Sequence, residues 1–273
     1  MANIIKIRCK NTGKTFPMPL GCSVEDVYEF SGLNMQFGPV CASINNKTQG
    51  MNYRFYNSKD VELLDLTSVR GMRTYTHTLF FVLVKAVEDT FPDGRLIIGA
   101  PVCRGFYCEL YIGRPVEADD VARLRQRMQE IIDADMPIHR IQCPIEEAIQ
   151  IFRQRGMESK AQLLESQGSL YAYYYQLGET IDFFYSCLLT STGKLNLFDL
   201  IPLDEGMLLR VPSRKNPAEL EPVVGGKISV EPSVESHLAG VHRRGSLSCV
   251  VIDGLTGSDY RSRQFVVGHC YYG

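Results

Sequence analysis

Imidazoles and thiols are the side chains here that could hold a metal or move a proton, and their spacing limits what they can do. The sequence has five histidines and nine cysteines. The cysteines stand at 9, 22, 41, 103, 108, 143, 187, 249 and 270, and none forms a Cys-x2-Cys pair. Zinc sites draw on paired ligand spacing, so scattered reduced thiols, partly in the core, are the expectation and no metal site is assigned. His77 reads as a polar residue near a helix start, and His139 falls in a strand-like segment without obvious partners. His237, His242 and His269 support no constellation. Two Gly-Lys pairs suggest a phosphate loop, and both fail the spacing. Gly13-Lys14-Thr15 has Arg8 where the first glycine belongs, and Gly193-Lys194 has Leu188 there and Leu195 after it.

The bulk properties narrow the function classes. With 45% hydrophobic and 22% charged residues, the composition is that of a soluble globular protein. At 273 residues there is room for one large domain or two ordinary ones. A net charge of −2 argues against strong sequence-independent binding to nucleic acid. The basic clusters Arg123-Leu-Arg-Gln-Arg127 and Arg153-Gln-Arg155 sit beside acidic residues and read as solvated helix faces. No apolar run is long enough to span a bilayer, and the N-terminus lacks a secretory apolar region, so a cytoplasmic protein without a membrane partner is expected.

The elements that must position any site follow from periodicity. Ile4 to Arg8 and Thr15 to Met18 read as strands joined by the turn Asn11-Thr-Gly-Lys14. Ser23, with Asp26 three residues on, marks a helix start, and Gly32 a stop. Strands are expected at Val40–Ile44, Tyr53–Phe55 and Val61–Leu66. From Thr76 to Thr90 a wide apolar stripe predicts a mostly buried helix. Strands at Leu96–Ile98 and Phe106–Tyr111 precede an amphipathic helix over Pro115–Asp133. A strand at Ile138–Cys143 and helices at Pro144–Arg155 and Ser159–Glu165 come next. Leu170–Leu177 is β-prone, and Thr180–Leu189, Lys194–Leu200 and Met207–Val211 are assigned to the same sheet region. From about Glu221 the pattern breaks up, although Val250–Ile252 and Phe265–Val267 could be strands; an irregular tail, or an abnormal end such as a reading-frame change produces, is expected.

The order of elements from Ile4 to Leu66 resembles the TGS domain, a β-grasp (ubiquitin-like) module, which implies an α+β fold with domains at 1–67 and 68–220 and a tail at 221–273. The stretch from Thr74 to Glu109 resembles the editing-type second domain of threonyl- and alanyl-tRNA synthetases. The segments Arg70-Gly-Met-Arg-Thr-Tyr, Arg125-Gln-Arg-Met-Gln-Glu-Ile-Ile, Phe152-Arg-Gln-Arg-Gly-Met-Glu and Gly168-Ser-Leu-Tyr-Ala-Tyr-Tyr-Tyr resemble the N-terminal region of bacterial TGS-containing nucleoside (uridine) kinases, over Ile4 to about Leu220. That resemblance implies ATP and magnesium chemistry in a P-loop kinase domain. Without a P-loop in this sequence, no cofactor is assigned to these residues.

In the synthetases, the resemblance places a His-x3-His on the helix and a Cys-x3-His in a later loop. Phe91-Pro92 sets the helix register and Ser191-Thr-Gly193 the loop register, so the four positions fall on His77, Phe81, Phe184 and Leu188. Three of the four are apolar, and no catalytic residue is assigned. A slip of one residue in the loop would bring Cys187 near His77, and two ligands are too few for tetrahedral zinc. The resemblance therefore implies a non-catalytic ligand-sensing or docking module. His77, Arg104, Tyr107, Tyr173, Tyr175 and Lys194 are candidates to stack on or pair with a nucleoside, nucleotide or RNA. The competing expectations are a trans-acting aminoacyl-tRNA deacylase and a purely structural interaction domain, and neither ligand nor oligomeric state is fixed by the sequence.

Overall fold

A computed structural model describes residues 3–102 and 104–222. The architecture is mixed α and β, with three separate sheets. The expectations for the tail beyond 222, and those for Cys103, lie outside the described residues.

The first unit is a five-stranded sheet with one helix. Strands β1 (Ile4–Cys9), β2 (Thr15–Pro19), β3 (Cys41–Ile44), β4 (Lys47–Gln49) and β5 (Lys59–Leu64) follow in chain order, with α1 (Val24–Ser31) after β2. They lie side by side in the order β2-β1-β5-β3-β4, with β1 and β5 parallel and the other pairs antiparallel. Alternate residues of β1, namely Ile5, Ile7 and Cys9, face a core shared with Val24, Val27, Phe55 and Leu63. Prolines 17 and 19 sit in β2, an edge strand, where a missing N–H costs no ladder bond. Ser23 caps α1 and forms a reciprocal capping box with Asp26, as its sequence signature predicts. The strand expected at Tyr53–Phe55 is only an isolated bridge between Arg54 and Ser23. The strand at Lys47–Gln49 was missed; Asn45 and Asn46, at φ of 49° and 61°, make its tight hairpin turn.

The second unit is built around α2 (Val69–Thr90). Its observed start is seven residues before the expected Thr76, with Ser68 as N-cap accepting from the Gly71 N–H. Gly71 lies in its first turn, where a Cβ would stand 1.9 Å from the Asp65 carbonyl oxygen. Strands β6 (Arg95–Val102) and β7 (Gly105–Tyr111) lead to α3 (Ala118–Asp133). Then come β8 (His139–Pro144), α4 (Ile145–Gln154), α5 (Glu158–Glu165), β9 (Tyr171–Leu177) and β10 (Thr180–Asp182). After a 3-10 turn at Thr192–Lys194, β11 (Asp199–Leu203) and β12 (Gly206–Arg210) close the fold.

The single sheet region expected for the later strands is in fact two. β10, β9 and β8 form one antiparallel sheet, backed by α4 and α5 through Ala148, Phe152, Ala161 and Leu164. β11, β12, β7 and β6 form another, which packs with α2 and α3. The strand expected over Thr180–Leu189 ends at Asp182, and residues 183–190 run as a loop. Strand β3 is buried along its whole length because each face meets a different core. Ala42 and Ile44 face the first unit, while Cys41 joins Tyr75, Leu79 and Phe81 in the second.

Candidate functional site

Helix α2 presents Thr74, His77, Thr78 and Phe81 along one face, at the three- and four-residue steps that stack side chains on adjacent turns. Residues 183–190 lie against that face. The Ser191-Thr-Gly193 signature fixes the end of this loop by two different means. Thr192 Oγ1 donates to the Ile131 carbonyl at 2.7 Å and accepts from the Met136 N–H at 2.8 Å. Gly193 donates its N–H to Asp135 Oδ1 at 2.9 Å, and a Cβ on it would stand 2.4 Å from that same oxygen.

Three polar contacts hold the loop on the helix. Thr74 Oγ1 meets Cys187 Sγ at 3.2 Å, Ser186 Oγ meets His77 Nδ1 at 2.6 Å, and Leu189 donates its N–H to Thr78 Oγ1 at 3.0 Å. Between them the space is filled by apolar side chains. The Phe184 ring meets Phe81 edge-on at 5.5 Å and also touches Tyr175 at 6.2 Å. Phe81, Phe184 and Leu188 are all buried. His77 stacks on Phe80 with ring centroids 5.5 Å apart. Burial, with a smaller contribution from the Arg73 charge, lowers the imidazole pKa to about 4, so His77 is neutral at pH 7. Phe81, Phe184 and Leu188 offer no lone pair or proton, and Ser186, not Cys187, is the loop residue on the His77 ring. The pairing that a slip of register would give is therefore absent. Among the described residues no group of three or more His, Cys, Asp or Glu is placed to hold a metal ion.

The six residues proposed to surround a ligand do not converge. Tyr175 is buried beneath the loop, its hydroxyl donating to the Ser186 carbonyl at 3.2 Å, and burial pushes its pKa up to about 12. Tyr173 is exposed one strand position pair away, with the Arg140 guanidinium 4.0 Å above its ring. Phe106 packs edge-on against Phe80, so its neighbour Tyr107 points to the opposite face of the sheet, where its own burial and the charge of Glu109 raise its pKa to about 12. Arg104 pairs with Glu221. Lys194 reaches Glu25 of α1 at 3.2 Å and so ties the second unit to the first.

Two features were not legible in the sequence. A cavity of about 80 Å³ opens between the units, lined by Gln49, Gly50 and Tyr53 on one side and Arg140, Cys187 and Leu188 on the other. Its walls come from two stretches of chain, residues 49–53 and 138–190, and no spacing rule joins them. The other feature is an ion pair between Lys160 of α5 and Asp182 of β10, with side chains 7% and 0% exposed. The Asp182 carboxyl also accepts from the Phe183 N–H through Oδ1, while Oδ2 has no protein partner. Burial raises the Asp182 pKa, and Lys160 opposes that shift. The two residues are 22 positions apart, and no spacing rule joins them.

No family model matches the chain. Among curated proteins it is similar to threonine–tRNA ligases. That of Syntrophomonas wolfei is 31% identical over 201 residues, covering 73% of this chain and 32% of the ligase. The Acetivibrio thermocellus ligase is 27% identical over 200 residues, covering 72% and 31%, and the Geobacter sp. ligase 24% identical over 229 residues, covering 84% and 36%. The chain is homologous to threonyl-tRNA synthetases at moderate identity. It spans about a third of the length of these relatives. Among the described residues no helix is long and apolar enough to cross a membrane.

Proposed function

We propose that this chain is a non-catalytic module of synthetase type: a TGS-like β-grasp unit joined to an editing-like α+β unit, serving ligand sensing or docking. The observation that carries the reading is the state of the four positions on α2 and its facing loop. One is a neutral histidine bonded to a serine, and the other three are buried Phe81, Phe184 and Leu188. The first sheet's order, with its parallel central pair and one covering helix, supports the β-grasp assignment. The motif resemblance favours the N-terminal half of a TGS-containing nucleoside kinase as the setting, with ATP and magnesium bound in a kinase domain beyond these residues. Isothermal titration of the chain with nucleosides, nucleotides and tRNA tests it. Saturable binding without turnover is expected, and no binding to any of the three removes the sensing role.

A second reading, a trans-acting aminoacyl-tRNA deacylase, is favoured by the homology to threonine–tRNA ligases. It requires chemistry from His77 and its surroundings. Hydrolysis of mischarged tRNA by the chain, abolished by His77→Ala, establishes it and displaces the first reading.

A further inference from the structure

The cavity between the two units carries charge of one sign. Among the described residues that line it, Arg140 of β8 is the sole charged side chain, and there is no Asp or Glu. The first unit contributes Gln49, Asn52 and Tyr53, and Thr190 stands at the end of the 183–190 loop. A lining of donors with one cation and no acid favours an anion.

The Arg140 guanidinium is stacked but not paired. Its carbon lies 4.0 Å from the centroid of the Tyr173 ring. Stacking takes one face of the group and leaves the in-plane N–H edge, the fork that matches two oxygens of a carboxylate or phosphate. Among the described residues that guanidinium has no ion pair and no hydrogen-bond acceptor. Its charge reaches the cavity wall: burial raises the Tyr175 pKa, and Arg140 opposes the rise. The side-chain amides of Gln49 and Asn52 and the Thr190 hydroxyl are likewise without hydrogen bonds to described residues. The Tyr53 hydroxyl accepts from Lys59 Nζ at 2.7 Å, which leaves its own proton to donate and brings a second cation one bond from the cavity. At about 80 Å³ the space is about half of a ~150 Å³ engineered cavity that takes benzene, which suits a group of four or five heavy atoms.

We propose that this cavity binds a small oxyanion, a phosphate or carboxylate group, gripped by the Arg140 fork of the second unit and by the Asn52 and Gln49 amides and Tyr53 hydroxyl of the first. The bound group bridges the two units. The site uses neither His77, Phe81 nor Phe184, and it stands independently of the readings above.

Amide NMR of the full chain, titrated with sodium phosphate and separately with sodium acetate at constant pH and ionic strength, tests it. Saturable shifts are expected at Gly50, Asn52, Tyr53, Arg140 and Thr190 with at least one anion. Saturation by phosphate alone assigns a phosphate group, by acetate alone a carboxylate, and by both an oxyanion site that does not select between them. Binding is expected to weaken roughly tenfold or more in Arg140→Gln, and less in Arg140→Lys, which keeps the charge and loses the fork. Asn52→Ala, also at an exposed residue, should weaken it about twofold or more. No saturable shift at these five residues with either anion, or unchanged affinity in Arg140→Gln, overturns the proposal. Unchanged affinity in Asn52→Ala together with unshifted Gly50 and Tyr53 amides overturns the bridge between units.

Discussion

Two buried regions of the second unit deal with polar side chains in opposite ways. On the α2 face, Phe81, Phe184 and Leu188 stand where the synthetase resemblance places ligands, and the interior there is closed by ring contacts. Just before that loop, Asp182 of β10 pairs with Lys160 of α5, and the two keep their charges out of water. A buried polar group is tolerable only when it is paired. On the α2 face, apolar side chains leave no ligand-type polar group to satisfy at those three positions. In the ion pair, loss of Lys160 would leave the buried Asp182 carboxyl without its counter-charge. His77 survives between these extremes because it is neutral and Ser186 satisfies one of its nitrogens.

The largest effect expected from breaking this contrast is at the ion pair. Lys160→Met should cost about 3–5 kcal/mol by leaving the Asp182 carboxyl without its counter-charge. Lys160→Met combined with Asp182→Leu should recover most of that loss. Urea unfolding of the three proteins measures both, and a double variant no more stable than the single one would show that the pair's volume, not its charge, matters.

The next effect is set by pH. The His77 imidazole has a pKa of about 4 in the folded chain against 6.5 in the unfolded one, so the unfolded state binds more protons in between. Its contribution is fully present above about pH 6.5 and is lost as pH falls toward 4, with a ceiling of about 3 kcal/mol. The difference in unfolding free energy between the wild type and His77→Gln, followed from pH 7.5 to 4, should shrink over that interval.

Restoring an imidazole sharpens the contrast further. Phe81→His should cost about 2 kcal/mol, because it places a polar ring against Phe184 in the apolar core. Zinc should not raise its melting temperature, since Phe184 and Leu188 remain apolar. The smallest change expected is Thr78→Val, which orphans the buried Leu189 N–H and should cost about 1 kcal/mol in chemical denaturation.

Much of the fold was legible because local patterns agreed with tertiary demands. The capping box at Ser23, the alternation in β1 and the apolar stripe of α2 each specify an element without help from distant residues. The errors lie where distant contacts decided. Helix α2 begins at Val69 instead of Thr76, and its first turn bonds to β3 through Arg70 and Ser43. The strand expected over Thr180–Leu189 ends at Asp182, because Ser186, Cys187 and Leu189 bond to side chains of α2. At the site, the residue types at His77, Phe81, Phe184 and Leu188 were readable, but the separation of Arg104, Tyr107 and Lys194 from them was not.

By itself the sequence determined the chemistry available: which positions carry lone pairs and protons, which are hydrocarbon, and the absence of a phosphate loop from these residues. Those are covalent facts, independent of conformation. Only the tertiary structure decided which groups meet. It buried Lys160 against Asp182 and opened a cavity between segments far apart in the chain. The physical reason is that hydrogen bonds, burial and pKa depend on distance and dielectric, and a linear chain specifies neither until its cores have packed.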